Sequence, residues 1–329
     1  MMSAREEALQ RLAAIPHLTV SRDVPLSRYT RFGIGGPADI LAETDSDDAF
    51  VQGLAVARAS ELEHLVIGGG TNLIVSDEGF RGIVLRHLGD RITSAGDRIM
   101  VDAGAVLQDL VDYANERGLK GLETLAGIPG WVGAAIYGNA GAYGHSISER
   151  VHQVRFYDGT WVRVFSNAEC EFRYRESVFK RRKDWIIFSA ELHMERTEAD
   201  ALKKVSAEIV AIRNEKFPLT MKCAGSIFKN LLLAELPGEV AAAVPEKVVR
   251  EGKVPAAHFL EQVGAKGMER GGIRVADYHA NLVYNTGGGS ARDLCELLEY
   301  LKSLVRQRFG IELEEEVQYV GFELCAVRP

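Results

Sequence analysis

The amino-acid sequence of 329 residues lacks the marks of membrane, secreted and nucleic-acid-binding proteins. It has no apolar run of the roughly 20 residues that a transmembrane helix needs. Its formal net charge of −7 argues against nonspecific binding to nucleic acid or to an acidic membrane surface. Residues 1–7 lead into a charged amphipathic helix and not into the apolar core of a signal peptide. We therefore predict a globular, cytoplasmic protein that binds neither nucleic acid nor membranes.

Signatures of disulfides and metal sites are missing as well. The four cysteines, Cys170, Cys223, Cys295 and Cys325, show no CxxC motif and no paired spacing, so we predict reduced thiols. None of the eight histidines belongs to an HExxH motif or to another pattern of ligand spacing. The sequence therefore predicts no metal site.

Helix and strand patterns alternate irregularly along the chain, whose length allows two or three domains. Because regular βαβ alternation is missing, we expect an α+β fold and not a doubly wound sheet. The Asp158-Gly159 turn signal predicts a hairpin over 151–165. A helix capped by Thr197 is predicted over 197–213 and marks the expected domain boundary, around 195–215. The other predicted helices cover 3–14, 45–60, 106–117, 256–262 and 291–309.

Glycine, by contrast, is abundant and concentrated in one long run. Six glycines recur every three to five residues from Gly127 to Gly144. Each interior glycine costs a helix or strand about 0.5–1 kcal/mol relative to alanine, so we expect a system of loops there. Its backbone N–H groups could face an extended anion such as a dinucleotide, but a set of tight turns between strands would explain the same glycines.

A second glycine segment, residues 68–72, follows a strand pattern. Its amides can form an anion-binding concavity, and Thr71 and Asn72 add side-chain donors suited to a pyrophosphate. No Lys-Ser/Thr pair follows, so the segment is not a Walker loop. Residues 33–38 match G-x-G-x-x-A, but a strand pattern follows them instead of the helix that a Rossmann fingerprint requires. Two separate glycine segments together favour a large dinucleotide as ligand.

Arg175 lies in an aromatic setting, between Phe172, Tyr174 and Phe179. A guanidinium fixed at such a place could clamp a carboxylate with two parallel hydrogen bonds. The basic residues 180–183 that follow are typical of a solvated loop. The arginine is therefore a candidate for binding an anionic substrate group.

A further polar cluster contains Lys216, Ser226, Lys229 and Asn230. These residue types could serve chemistry together with phosphate binding, but a turn with an exposed lysine would look the same. No G-x-S-x-G elbow is present, so a hydrolase nucleophile is not expected. The acidic residues 314–316 enter a strand pattern, so one of their carboxylates could point inward.

In combination, six segments resemble the family of UDP-N-acetylenolpyruvoylglucosamine reductases, flavoenzymes that make UDP-N-acetylmuramate for bacterial peptidoglycan. Any one segment is weakly specific, but six in the family's order, between residues 28 and 321, are highly specific. The segments are 30–38, 68–73, 127–135, 174–177, 225–230 and 313–317.

The resemblance implies a fold of three α+β parts. Two subdomains, at 1–85 and 86–196, would hold FAD as in the vanillyl-alcohol-oxidase-like (PCMH-type) fold, and a substrate domain would follow at 197–329. It also implies that NADPH reduces UDP-N-acetylglucosamine enolpyruvate through noncovalent FAD, without an obligate protein partner. The residues implied in FAD binding are Gly68, Gly69, Gly70, Thr71, Asn72, Gly127, Pro129, Gly130, Gly133, Ala134, Gly138, Asn139 and Gly141.

Catalytic and substrate-binding roles also follow from the resemblance. It implies that Arg175 and Glu316 are catalytic and that Ser226 is the proton donor. Hydride addition to the enolpyruvyl group builds charge on the substrate carboxylate, which a fixed cation stabilises, and a neighbouring carbon then needs a proton. The positions implied in substrate binding are Lys216, Lys229 and Asn230.

One departure from the family's pattern concerns a loop. One branch of the family carries an insertion after the catalytic arginine, whose tyrosine covers the substrate. Here residue 183 leads directly into the strand pattern at 185–194, so the chain resembles the branch without that loop, and residues 180–183 are available to the diphosphate. Two alternatives stay open at this point: another flavin oxidase or dehydrogenase of the same fold, and a nucleotide-sugar-binding protein that has lost catalysis.

Overall fold

The computed structural model describes residues 3–218 and 220–322. These residues form two compact units, each built from separate stretches of chain. Unit 1 contains Ala38–Gly69, Arg81–Pro218 and the described residues before Pro25. Unit 2 contains Pro25–Pro37, Gly70–Phe80 and the described residues after 219. The sequence predicts three parts, with boundaries at 85 and 196. This division is finer than the two units and stays a prediction.

The described residues contain nine α-helices. They are α1 (Ala4–Ala13), α2 (Asp47–Ala59), α3 (Leu107–Glu116), α4 (Val132–Tyr137), α5 (Val178–Arg181), α6 (Ala199–Lys216), α7 (Gly238–Ala243), α8 (Ala256–Gln262) and α9 (Ala291–Phe309). All six helices predicted from the sequence are confirmed. The cap predicted at Thr197 is wrong, because its amide donates to the Gly118 carbonyl and the helix begins two residues later.

The described residues also contain 21 strands. They are β1 (Thr19–Pro25), β2 (Pro37–Thr44), β3 (Glu63–Val66), β4 (Leu73–Val75), β5 (Phe80–His87), β6 (Ile92–Ala95), β7 (Arg98–Asp102), β8 (Leu119–Lys120), β9 (Gly141–Ala142), β10 (His145–Ser146), β11 (Val151–Tyr157), β12 (Val162–Ser166), β13 (Ile186–His193), β14 (Glu195–Arg196), β15 (Lys222–Ser226), β16 (Leu231–Leu232), β17 (Lys253–Val254), β18 (Glu269–Arg270), β19 (Ile273–Ala276), β20 (His279–Asn285) and β21 (Gln318–Val320).

Unit 1 has two hydrophobic cores. One lies beneath the four-stranded sheet β1-β2-β5-β3 and buries Leu12 of α1 and Phe50 of α2. The other lies beneath the antiparallel sheet β12-β11-β13-β7-β6 and buries Leu110 of α3, Ile136 of α4 and Ile209 of α6. The predicted hairpin is confirmed as β11 and β12. The helices therefore hold the glycine run, which includes α4, against the five-stranded sheet.

Unit 2 is organised around the antiparallel sheet β15-β20-β19-β18 and the long helix α9. Leu294, Leu298 and Leu301 of this helix are fully buried in the core of the unit. The start of α9 is well capped, because the Ser290 side chain accepts from the backbone and the Asp77 carboxylate accepts from the amide of Ala291. Strand β4 pairs in parallel with β21, which fixes the segments on either side of them.

The described cysteines are unpaired thiols, as predicted for Cys170, Cys223 and Cys295. Burial raises the pKa of Cys170 and of Cys295 to about 12, so both stay protonated and chemically inert at neutral pH. Cys325 lies outside the described residues. Among those residues, no helix combines the length and apolarity needed to cross a membrane.

Candidate functional site

Within unit 1, Gly68 and Gly69 of the shorter glycine segment pack against Trp131 and Ala134 of the long glycine run. A Cβ added to Gly69 would lie 3.0 Å from the Trp131 ring, and one added to Gly68 would lie 3.7 Å from it and 3.8 Å from the Ala134 Cβ. The guanidinium of Arg86 stacks on the same indole, 4.7 Å from its centroid. The two segments that the sequence singled out are therefore neighbours in space, although about sixty residues separate them in the chain.

Several amides of these segments have no acceptor among the residues that the structure describes. In unit 1 this holds for the N–H groups of Gly68 and Gly69, and in unit 2 for that of Gly70, with respect to all described residues. Gly70 also has a left-handed φ of +65°, a conformation that turns successive amides toward one side. Half-buried amides without partners are costly unless an acceptor reaches them, so Gly68 and Gly69 of unit 1 fit a bound anion.

The glycine run contains regular structure, and the prediction that it is a system of loops is wrong there. Val132–Tyr137 forms α4, and Gly141–Ala142 forms β9. Close packing outweighs glycine's low helix propensity here. The helix α4 lies so near Ala103 that a Cβ at Gly133 would be only 2.8 Å from the Ala103 Cβ. Glycine is needed at this position so that the helix can lie close to Ala103, the residue that follows β7.

Some backbone amides of the glycine run donate to acceptors within the described residues, and at least one does not. The N–H of Gly127 donates to Gln108 Oε1, that of Gly133 to the Ala103 carbonyl and that of Gly138 to the Ala134 carbonyl. These three glycines therefore shape the backbone rather than offer donors. Asn139 is buried at φ +43°, and its side chain donates to the Arg173 carbonyl. The N–H of Gly130 has no acceptor among the described residues.

Replacing Gly70 with alanine is expected to lower the free energy of unfolding by about 3 kcal/mol or more. The new Cβ would overlap the Tyr29 carbonyl oxygen at 1.6 Å, on top of a strained φ of +65°. Gly96→Ala is the matched control, since Gly96 has φ +66° and nothing within 4 Å of its Cβ position, and about 1 kcal/mol is expected there. Denaturant unfolding of both holoproteins measures the difference, and equal losses would contradict the argument.

Arg175 lies at the tip of a tight turn in unit 1. The backbone groups of Arg173 and Glu176 are hydrogen bonded to each other in both directions, so Tyr174 and Arg175 form a two-residue loop. Arg175 has φ +58°, which a residue with a side chain adopts only under constraint. Its guanidinium donates to the Gly141 carbonyl at 3.0 Å. The arginine is thus fixed against the glycine run.

Neighbouring side chains hold this turn in place. Lys180 Nζ donates to the Arg175 carbonyl at 2.8 Å and to Glu176 Oε1 at 3.0 Å. The fully buried Ser177 donates to the Tyr137 carbonyl. Burial raises the pKa of Tyr137 to about 12, and the charge of Glu176 adds to this, so its phenol stays neutral.

The interpretation of residues 180–183 as a solvated loop is wrong for Lys180. Its side chain is 20 % exposed and supports the turn, and the first two basic residues belong to α5. The signal that sequence reasoning missed is the i,i+4 spacing of Glu176 and Lys180, which predicts an ion pair across one helical turn. Arg181 and Arg182 are about half exposed and pair with carboxylates of their own, on Glu171 and Asp184.

Ser226 ends β15 in unit 2, directly after a distortion of the sheet. The pairing of β15 with β20 shifts register between Cys223 and Ser226, which inserts one extra residue. Gly225 within this bulge has φ +81°. Bulges of this kind re-aim the side chain that follows them. The backbone beyond is clamped by Asn281, whose side-chain amide both donates to and accepts from the main chain of Phe228.

With the catalytic role that the resemblance implies for Ser226, we expect Gly225→Ala to lower turnover about tenfold, because alanine is strained at φ +81° and relaxation of the backbone would shift the adjacent Ser226. No atom of the described residues lies within 4 Å of the Cβ position, apart from the chain neighbours, so the substitution introduces no clash with them. Gly252→Ala is the control in the same unit, with φ +72° and equally open space. Steady-state kinetics with thermal unfolding should show similar stability losses in both variants but reduced turnover only for Gly225→Ala. Equal turnover in the two would refute a positioning role.

The three glutamates at 314–316 have different surroundings. Glu314 is 72 % exposed and pairs with Lys229, while Glu315 is largely buried and pairs with Lys302 at 3.4 Å. The Glu316 amide donates to the Ile227 carbonyl, and its own carbonyl accepts from the Asn72 side chain at 2.8 Å. The segment of Glu316 is therefore bound alongside that of Ser226. The side-chain amide of Asn72 makes this hydrogen bond to the Glu316 carbonyl, whereas the sequence predicted that it would donate to a pyrophosphate.

The predicted substrate-binding residues occupy different settings. Lys216 is the last residue of α6 in unit 1 and is exposed. In unit 2, Lys229 has a side chain only 13 % exposed, whereas Asn230 is exposed. Asn281 of the same unit has a structural role, because its side-chain amide holds the main chain of Phe228.

Comparison with known proteins gives consistent matches along the chain. Residues 38–164 match the family model of an FAD-binding domain, and residues 217–320 that of the UDP-N-acetylenolpyruvoylglucosamine reductase C-terminal domain. The chain is 68% identical over 311 residues to the UDP-N-acetylenolpyruvoylglucosamine reductase of Solibacter usitatus, covering 94% of this chain and 100% of the relative. It is 33% identical to the same enzyme of Bacillus subtilis over 322 residues, 96% and 99% of the two chains.

A solved structure agrees with these matches. The crystal structure of UDP-N-acetylenolpyruvylglucosamine reductase from Thermus caldophilus superposes with a TM-score of 0.73 at 29% identity, covering 92% of this chain and 99% of that one. The predicted α+β, vanillyl-alcohol-oxidase-like FAD-binding fold is confirmed.

Proposed function

The chain belongs to the UDP-N-acetylenolpyruvoylglucosamine reductase family, and from this premise we propose how its residues perform the family's reaction. It is an FAD-dependent oxidoreductase that uses NADPH to reduce UDP-N-acetylglucosamine enolpyruvate to UDP-N-acetylmuramate in peptidoglycan synthesis. The observation that carries this function is the 68% identity to a reductase over 94% of the chain. The alternatives of a flavin oxidase and of an inactive binding protein are thereby set aside.

We assign FAD binding to the two glycine segments. Their residues fit the group, because the amides of Gly68 and Gly69 have no acceptor among the described residues and can bind a pyrophosphate, and Gly70 follows them in the chain. Gly127, Gly133 and the other glycines of the run, with Pro129, Ala134, Asn139 and Thr71, shape the surface against which the cofactor packs. When bound, FAD accepts hydride from NADPH and supplies it to the substrate. No side chain is assigned to a covalent flavin bond.

Arg175 is assigned to the substrate carboxylate. Hydride addition to the terminal vinyl carbon leaves negative charge on this carboxylate, and a preorganised cation stabilises charge that develops in the transition state. The constrained turn and the hydrogen bond to Gly141 hold the guanidinium before substrate arrives. Little reorganisation is then needed at the moment of reaction.

Ser226 is assigned as the proton donor to the carbon beside the carboxylate. A serine hydroxyl is a very weak acid, so polar neighbours must activate it. Glu316 is the proposed catalytic carboxylate, because it matches the family's catalytic glutamate and its backbone is hydrogen bonded to Ile227, the residue after Ser226. A general acid of this kind contributes about 10²–10⁴-fold.

Substrate binding is assigned to Lys216, Lys229 and Asn230, whose cation and amide groups suit a diphosphate and a sugar. We further propose the division into FAD-binding subdomains at 1–85 and 86–196 and a substrate domain at 197–329. The protein is proposed to act in the cytoplasm without an obligate protein partner, on a small-molecule UDP-sugar.

The test of function is NADPH oxidation by the purified yellow protein. Oxidation that depends on the enolpyruvyl substrate and yields UDP-N-acetylmuramate is expected. Rapid NADPH oxidation with oxygen alone, unchanged by the substrate, would instead indicate a flavin oxidase and contradict the proposal.

A further inference from the structure

Two histidines and a glutamate that the reaction does not use meet on the five-stranded sheet of unit 1. They are His152 on β11 and Glu191 and His193 on β13. One potential ligand atom from each lies within 4.8 Å of those of the other two. No ligand-spacing motif in the sequence marks this cluster, because His152 lies on a different strand from Glu191 and His193.

The sheet register explains how the three side chains reach one face. Glu191 and His193 are two residues apart on β13, so they point to the same side of the sheet. On β11, His152 is the extra residue between the pairs Val151–Leu192 and Gln153–Glu191. A bulge residue is re-aimed relative to its neighbours. Its ring consequently stacks on that of His193, with 3.8 Å between centroids and 11° between planes.

Part of the cluster is already held in place. Glu191 is buried, and its Oε1 lies 2.8 Å from His193 Nε2. Gln153 Nε2 donates to the other carboxylate oxygen at 2.8 Å and fixes its orientation. Such outer partners are a common property of metal-ligating side chains. His152 is exposed and has room to rotate.

We propose that His152, Glu191 and His193 bind a divalent transition-metal ion, with zinc as the probe of choice, and that water completes the coordination. Two imidazoles and one carboxylate form a donor set typical of zinc. Zinc lies about 2.0–2.2 Å from such ligands, so two ligand atoms can be at most ~4.4 Å apart. Because the two rings are stacked, the exposed His152 ring must rotate out of the stack so that one of its nitrogens points at the ion.

Arg98 opposes this binding. Its guanidinium lies 3.6 Å from Glu191 Oε1, and it stands opposite His193 in the pairing of β7 with β13. Its positive charge repels a cation at the carboxylate, but its side chain is 61 % exposed and can turn into solvent. Removal of this charge should therefore tighten metal binding, an effect that an unrelated surface site would not show.

The experiment is calorimetric titration of the chelator-treated holoenzyme with zinc chloride. We expect one site whose affinity falls about tenfold or more in His152→Ala and in His193→Ala. Arg98→Ala should raise the affinity several-fold. His145→Ala is the matched control, because His145 also pairs with a carboxylate, on Glu149, in an exposed setting. NADPH-dependent turnover of each variant verifies that it is folded.

The result that would overturn the proposal is equally specific. No saturable binding by the wild type, or equal affinity in the wild type, His152→Ala and His193→Ala, would show that the cluster is a stacked histidine pair beside a glutamate and not a metal site. Since His152 is exposed, its replacement should not disturb folding, so a loss of affinity in His152→Ala cannot be attributed to misfolding.

Discussion

The Ser226→Ala variant is expected to reduce the enolpyruvyl substrate at least 10²-fold more slowly than the wild type, because the proton donor is lost. Reduction of the bound flavin by NADPH should stay within about twofold, since that half-reaction needs no proton from this serine. Stopped-flow absorbance at the flavin bands resolves the two half-reactions. Ser226→Cys, which retains a proton donor, should recover part of the lost rate.

The control for this substitution is Ser303→Ala in the same unit. Its hydroxyl donates to the Tyr300 carbonyl within α9, so its removal costs one local hydrogen bond and should leave both half-reactions unchanged. If Ser226→Ala also leaves both half-reactions unchanged, the proton must come from another group, and the assignment is wrong.

Arg175→Lys should lower the rate of substrate reduction about 10²–10³-fold, although the positive charge is kept. A lysine cannot reproduce the planar fork that binds a carboxylate through two parallel hydrogen bonds. It would also lose the guanidinium geometry that now anchors the side chain on the Gly141 carbonyl. The effect should be expressed in the half-reaction with substrate, measured by stopped flow, and not in that with NADPH.

Arg163→Lys serves as the control for Arg175→Lys. Arg163 lies on β12, is 52 % exposed and pairs with Asp158, so its replacement should change neither half-reaction. Full activity of Arg175→Lys would mean that charge alone suffices, whereas slowed reduction by NADPH would place the arginine in cofactor binding instead.

Local sequence signals were sufficient for the regular elements. The helices α8 and α9 begin and end at the predicted residues, and the side chain of Ser290 caps the start of α9. The hairpin of β11 and β12 follows from its Asp-Gly turn. These features depend on residues close together in the chain, so the sequence carries them directly.

The glycine run shows where local reasoning fails. Glycine propensity predicts a loop, yet α4 forms because Gly133 lets the helix approach Ala103. Likewise, the basic residues at 180–183 resemble a solvated loop, yet Lys180 supports the backbone of Arg175. In both places a tertiary contact outweighs the preference of the local sequence for a loop. The partner is Ala103 for Gly133 and the backbone of Arg175 for Lys180.

By itself, the sequence determined the α+β class, the family, the cofactor and the residue types available for catalysis, because short segments and their order carry this information. Only the tertiary structure decided which glutamate of residues 314–316 is bound alongside Ser226, and how the turn of Arg175 is constrained. It alone also brought His152 to Glu191 and His193, through a bulge that no pattern in the chain announces. The physical reason is that strand register and packing are properties of pairs of segments, and a side chain's direction changes with a single residue of shift.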